Sequence, residues 1–142
     1  MEEIDYIIVG DGYAAMFVAH QLRNARKSFK IFSESRKSAS QVSAGIVNPV
    51  VLKKFTTFWK AQKQIHFLQT TLEKIAQYTG KNYFINEPVH RIFHDENEKC
   101  IWLRKSENEE LKPFLDPEFT NAAVIQNPFD CGEVMQSGRL NV

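Results

Sequence analysis

The N-terminal part of the chain changes hydrophobic period twice. Residues 4–9 form a run of β-branched and aromatic side chains that stops at Gly10, which predicts a strand buried on both faces near its end. Residues 14–26 are rich in good helix formers with apolar positions at helical spacing, so they predict a helix. Residues 29–33 predict a second short strand. The predicted order is therefore strand, glycine turn, helix, strand.

The middle of the chain contains a loop and then a long helix. Residues 35–56 follow neither period and contain several serines, which predicts an ordered loop with room for one short helix. Residues 57–79 repeat apolar side chains at spacings of three and four, which predicts an amphipathic helix. Thr56 or Thr57 is available as its N-cap, and Gly80 follows its last turn.

The C-terminal part changes to short β-like pieces, which predicts antiparallel strands instead of another βαβ unit. Residues 95–98 are read as a polar turn between two of these strands. Ser106 with Glu109 matches a capping box, which predicts a short helix ending near Pro113 or Pro117. The predicted strands are residues 83–85, 89–93, 100–103, 122–126 and 132–135.

Composition narrows the class of protein. The chain has 142 residues, of which 43% are apolar and 25% charged, as in an ordinary globular protein. Its net charge of +1 gives no reason to expect nucleic acid as a partner. No apolar run is long enough to span a bilayer, and the N-terminus does not resemble a signal peptide. Cys100 and Cys131 form no metal or disulfide motif, so we expect a cytoplasmic protein with reduced thiols.

The strongest chemical signal is Gly10-x-Gly12-x-x-Ala15 between the first strand and the helix. Gly10 permits the tight turn, and Gly12 lets the backbone approach a pyrophosphate. Ala15 allows the helix to lie close to the strand. Glu34 ends the second predicted strand, where an acid accepts hydrogen bonds from the adenosine ribose and disfavours a 2′-phosphate. Two glycines could simply shape a turn, but this context favours dinucleotide binding.

Two weaker patterns have plain structural explanations. His90 and His94 would lie on one face of a strand, as a metal pair requires, but no third ligand is suitably spaced, so exposed histidines without a metal are favoured. Lys53 and Lys54 precede several aromatic residues, which resembles a nucleic-acid patch. The helical spacing of Phe58 favours core packing instead.

The glycine motif, Glu34 and the Ser-x-x-Ser-Ala-Gly-Ile-x-x-Pro stretch at residues 40–49 together resemble the N-terminal part of FAD-dependent oxidoreductases of the D-amino-acid oxidase and glycine oxidase type. The resemblance implies a Rossmann-like FAD-binding start, and it places residues 43–46 beside the flavin ring and Arg36 near the adenine. The cofactor-binding residues it implies are Gly10, Gly12, Tyr13, Ala14, Ala15, Glu34, Ser35, Arg36, Ser43, Ala44, Gly45 and Ile46.

The expected fold class is α/β, with a Rossmann-like βαβ start followed by an α+β part containing antiparallel strands. Residues 1–56 would form the first half of the FAD-binding domain, and residues 57–142 the beginning of a truncated substrate-binding region. The expected function is oxidation of a small amine or amino acid by hydride transfer to FAD, in a protein longer than this chain. An NAD-binding dehydrogenase fragment and a non-catalytic dinucleotide-binding module remain alternatives. A bare parallel sheet would also favour a homo-oligomer.

Overall fold

The protein, described by a computed structural model over residues 3–34, 39–121 and 129–141, is a mixed α/β structure with several small sheets. Its residues divide into two compact units, Met1–Gly45 and Ile46–Asn141. No helix within the described ranges has the length and apolar character that crossing a bilayer demands.

The first unit contains a parallel strand pair with a helix between its strands. Strand β1 (Tyr6–Val9) leads into helix α1 (Tyr13–Asn24), which is followed by strand β2 (Phe29–Phe32) and the single-turn helix α2 (Ala39–Val42). The pairing of β1 with β2 is parallel and in continuous register. The order of strand, turn, helix and strand predicted from the hydrophobic pattern is therefore confirmed.

The predicted burial of the first strand on both faces is wrong. Ile7 and Val9 point to the same face of the strand pair and are 67% and 86% exposed. Ile8 and Phe29 lie on the opposite face and are half-buried. A continuous apolar run shows that both faces of a strand are suited to burial. Whether they are buried depends on other elements that pack against them. In the described structure, one face of this pair is open.

The second unit is built from short antiparallel strands and two longer helices. Three sheets have the strand orders β3-β10-β6, β4-β5 and β7-β9-β8, and every pairing in them is antiparallel, as predicted. Its elements are β3 (Ile46–Val47), β4 (Val50–Val51), β5 (Thr56–Thr57), α3 (Ala61–Thr79), β6 (Phe84–Ile85), β7 (Val89–Ile92), α4 (Glu96–Ser106), β8 (Leu115–Thr120), β9 (Cys131–Val134) and β10 (Gly138–Leu140).

The core of the second unit surrounds Trp102, whose side chain is completely buried. Its ring meets Phe55 and Phe93 edge to face, with centroid distances of 5.4 and 5.5 Å. Its indole Nε1 donates a hydrogen bond of 2.7 Å to the carbonyl of Asp116, so its polar atom is satisfied inside the core. The other buried members of this cluster are Val50, Ala61, Leu111, Phe114, Leu115 and Val134.

The long helix is present but begins later than predicted. Thr56 and Thr57 form β5, and α3 begins after Lys60, which adopts a left-handed φ of 54° and supplies no side-chain cap. The other end matches the prediction, because Gly80 has a φ of 70° and its N–H donates to the carbonyl of Ala76 at 2.8 Å. The predicted loop over residues 35–56 contains α2, β3 and β4 among its described residues.

Two predictions for the C-terminal part are wrong. Residues 100–103 belong to α4 instead of a strand, and the supposed turn before them is the start of that helix. Asp95 is the N-cap, and its carboxylate accepts the N–H of Glu98 at 2.7 Å. Ser106 does not begin a helix but ends α4, donating its hydroxyl to the carbonyl of Leu103 at 2.8 Å.

The segment after α4 also differs from the prediction. Residues 107–114 form turns, and the β8 strand that follows includes Pro117, where no strand was predicted. Pro117 is tolerated because β8 lies at the edge of its sheet. The strand predicted near residues 132–135 is confirmed as β9, whereas the one predicted at residues 122–126 lies outside the described residues.

Replacing Asp95 with alanine should destabilise the second unit by about 1 kcal/mol, because the N–H of Glu98 loses its acceptor. Both tryptophans lie in this unit, so urea unfolding followed by tryptophan fluorescence reports on it selectively. Asp95→Asn is the matched control, since it keeps an acceptor oxygen and should lose much less stability. Equal losses in the two variants would contradict the capping assignment.

The ion pair of Glu98 with Arg91 should make the stability of the second unit depend on pH. Burial raises the pKa of Glu98, but hydrogen bonds from the Arg91 side chain and the His94 N–H outweigh it, and the pKa falls below its ordinary 4.5. Because the pKa of Glu98 is lower in the folded protein than in the unfolded chain, its ion pair stabilises the second unit fully above about pH 4.5. This stabilisation is lost as the pH falls through the pKa of Glu98 in the folded protein.

Glu98→Gln should therefore cost about 2 kcal/mol at pH 7 and progressively less in acid. Urea unfolding at pH 7, 5 and 3.5 measures the difference from the unmodified protein. Glu118→Gln, at an exposed position on β8, should show no such difference. A cost for Glu98→Gln that stayed constant over this range would exclude the ion pair as its source.

Candidate functional site

The turn between β1 and α1 depends on Gly10. This residue has a φ of 106°, which side chains with a Cβ rarely adopt, and a Cβ built there would meet no atom within 4 Å. Its N–H donates to the carbonyl of Phe32 at 2.7 Å, which joins the turn to the end of β2. The turn is therefore required by backbone geometry, and open space lies beside it.

Gly12 has a different role, since it leaves room for a serine. A Cβ at Gly12 would lie 2.8 Å from the hydroxyl oxygen of Ser40. That hydroxyl accepts a hydrogen bond of 3.1 Å from the N–H of Tyr13, the first residue of α1. The N-terminus of a helix attracts acceptors because its first N–H groups have no partners within the helix. The Ser40 hydroxyl therefore occupies the position at the N-terminus of α1 where an acceptor is favoured.

The next residues of the motif lie at the start of α1. Ala15 is buried, in agreement with the prediction that a small residue here keeps the helix close, whereas Ala14 is exposed. The hydroxyl of Tyr13 is buried and has no hydrogen-bond partner among the described residues. Burial raises the pKa of Tyr13, so its phenol stays protonated and retains a proton to donate.

Glu34 lies at the same end of the strand pair as the glycine turn. It comes two residues after Phe32, whose carbonyl holds Gly10, and it is exposed. Because β1 and β2 are parallel, their carboxyl ends meet at one edge, which is where ligands bind in open α/β sheets. The structure thus places Gly10, Gly12 and Glu34 at the same end of the strand pair, whereas Ser35 and Arg36 lie outside the described residues.

The Ser-Ala-Gly-Ile segment is only partly joined to this turn. Ser43 donates its hydroxyl to the carbonyl of Ser40 at 3.2 Å, which links it to the residue at the start of α1. Ala44 is exposed, and Gly45 has a left-handed φ of 64°. Ile46 begins β3 in the second unit and is 66% exposed.

The other patterns singled out in the sequence lie in the second unit. His90 lies 3.7 Å from the carboxylate of Glu133, and no group of three His, Cys, Asp or Glu residues within the described ranges could hold a metal ion. Phe55 is buried and Phe58 packs against the core, as the core-packing interpretation predicts. Trp59 is 74% exposed.

No model of a known protein family matches the chain, and no solved structure matches it.

Sequence reasoning missed one residue of this arrangement. Ser40 belongs to the Ser-x-x-Ser motif but was not among the predicted cofactor-binding residues. Its contact with Tyr13 spans 27 positions of the chain, so spacing alone did not indicate it. The sequence did contain one usable signal. Ser40 and Ser43 lie in the loop after β2, and Gly12 has no side chain, so it leaves room for one of these serines.

Replacing Ser40 with alanine should expose the N–H of Tyr13. Losing one partly buried hydrogen bond of about 1 kcal/mol should speed hydrogen exchange of this amide roughly fivefold, as measured by NMR. Ser33→Ala, at an exposed position after β2, is the matched control and should leave the rate unchanged. An unchanged rate in Ser40→Ala would show that the hydroxyl does not protect the start of α1.

Proposed function

We propose that this chain is the N-terminal portion of an FAD-dependent oxidoreductase that oxidises a small amine or amino acid. One observation carries the proposal: a glycine turn opens α1 between two parallel strands, and Glu34 lies at the same edge. This is the arrangement that a dinucleotide requires at its adenosine end.

The residues present fit the adenosine diphosphate part of such a cofactor. Gly10 leaves open space beside the turn, and the room left by Gly12 holds the hydroxyl of Ser40 at the start of α1. The N–H groups and dipole of this helix end favour a phosphate. The hydroxyl of Ser40, which accepts from Tyr13, would donate its own proton to a phosphate oxygen. The carboxylate of Glu34 would accept hydrogen bonds from the two ribose hydroxyls.

The choice of FAD over NAD rests on residues 40–49. In the proposed enzyme, Ser43, Ala44, Gly45 and Ile46 pass beside the flavin ring, where a residue without a side chain allows backbone to lie against a flat surface. The left-handed φ of Gly45 supports a need for glycine at this point. An NAD-binding dehydrogenase would use the same turn and the same Glu34, but it gives no role to this segment.

When bound, FAD would supply the redox chemistry by accepting a hydride from a carbon–hydrogen bond of the substrate. The work of this chain would be to bind and orient the cofactor, with Tyr13, Ala14 and Ala15 at the start of α1 and Ser35 and Arg36 on the adenine side. We propose no catalytic residue. The free thiols of Cys100 and Cys131 agree with a reducing compartment such as the cytoplasm.

A second candidate is a non-catalytic module with a degenerate dinucleotide site, which no longer binds a cofactor and associates with itself. The exposed face of Ile7, Val9 and Phe32 on the parallel strand pair favours it, because such a face is normally covered. In this case the purified protein would be colourless, bind neither FAD nor NAD, and have a mass in solution above that of one chain.

Calorimetry with ADP tests the adenosine end directly. The chain should bind ADP at least about tenfold more tightly than ADP carrying a 2′-phosphate, because Glu34 repels the added charge. Glu34→Ala should weaken ADP binding by roughly tenfold and remove this preference. Glu3→Ala, in an exposed position before β1, is the matched control and should change neither value.

Titration with FAD then separates the cofactors. The flavin absorption spectrum should shift on binding, and FAD should compete with ADP more strongly than NAD does. Failure to bind ADP would overturn the dinucleotide site, whereas ADP and NAD binding without FAD binding would favour the dehydrogenase alternative.

A further inference from the structure

The second unit contains a cavity that the proposed cofactor site does not use. It has a volume of about 450 Å³ and lies between α3, β6 and the turn that joins β9 to β10. This size falls within the usual range for small-molecule sites. Because its walls belong to the second unit alone, an inference from it does not rest on the proposed dinucleotide binding.

Two regular elements present their side chains to this cavity. Gln69, Leu72, Glu73 and Ala76 follow the spacing that places residues on one face of a helix. Leu72 is buried at the base, while Glu73 is exposed at the rim. The cavity wall on this side is therefore a helix face with an apolar floor and a carboxylate at its edge.

The opposite wall is the extended segment around β6. Phe84 lines the cavity from β6, and Asn82 and Asn86 line it from the residues just before and just after this strand. Gln136, with a left-handed φ of 56°, completes the lining from the turn between β9 and β10. Four carboxamides and one carboxylate thus line the same cavity as the ring of Phe84.

Hydrogen bonds hold part of this lining in place. The side-chain oxygen of Asn82 accepts the N–H of Phe84 at 3.1 Å, and its backbone carbonyl accepts the side-chain amide of Asn141 at 3.2 Å. The side-chain nitrogen of Gln136 donates to the carbonyl of Pro113 at 3.1 Å, which leaves its oxygen as an acceptor. Because these side chains are held in place before a ligand binds, less conformational entropy is lost on binding.

The charge of the lining indicates the class of ligand. Glu73 is the charged side chain in it, and neither lysine nor arginine is among the residues that line it in the described structure. We propose that this cavity binds a small organic cation, with its ammonium group held by Glu73 and the oxygen of Gln136 and its apolar part against Phe84 and Leu72. A primary ammonium has three donors, which match the carboxylate and amide acceptors.

Chemical-shift titration of the whole chain by NMR tests this proposal with benzylamine, which is a cation at pH 7. Benzyl alcohol is the neutral probe of nearly the same shape. Benzylamine should bind with a dissociation constant in the millimolar range, roughly fivefold more tightly than the alcohol, and shift the amides of Phe84, Asn86 and Gln136. The two affinities are compared on the unmodified protein, so this part of the test does not depend on whether a variant folds.

Glu73→Gln should reduce the affinity for benzylamine to that for benzyl alcohol, and leave the alcohol unaffected. Glu109→Gln, which removes an exposed carboxylate away from the cavity, is the matched control and should leave both affinities unchanged. Equal binding of the two probes to the unmodified protein would overturn the proposal. So would shifts confined to other residues, or the absence of saturable shifts up to about 50 mM probe.

Discussion

The second unit depends on the packing of Trp102 against a residue without a side chain. A Cβ on Gly132 would lie 2.5 Å from the indole ring and 2.9 Å from the ring of Phe93, too close for either to stay in place. Because Gly132 is on the central strand β9, the indole of Trp102 on α4 can pack directly against the backbone of this strand. Its hydrogen bond to Asp116 at the same time ties α4 to β8. The absence of a Cβ at Gly132 thus allows α4 to pack in one core with the three strands β7, β8 and β9.

The sequence was most informative where the structural requirement is local. Gly10 and Gly80 both adopt a positive φ, and each was predicted from its place at the edge of a hydrophobic pattern. The strand predicted at residues 100–103 is wrong because a run of four apolar residues fits a buried helix as well as a strand. The deciding signal lay just upstream, where Asp95 and Glu98 stand three apart and begin a helix.

What the sequence could not supply were contacts between distant parts of the chain. β3 pairs with β10 near the end of the chain, and two-residue strands of this kind have no period of their own. In the candidate site, Gly10, Gly12 and Glu34 follow from spacing, but Ser40 reaches Tyr13 through the fold. The cavity beside α3 is similar, since its two opposite walls, from α3 and from the segment around β6, enclose a cavity only in the folded chain.

The open face of the parallel strand pair has a thermodynamic consequence. The first unit spans Met1–Gly45, a length at which a single core supplies little net stability, and Ile7 and Val9 contribute little burial to it. Any molecule that covers this face and does not bind the unfolded chain adds its own binding free energy to that of folding. The fraction of this unit that is folded would then vary with the concentration of whatever covers it.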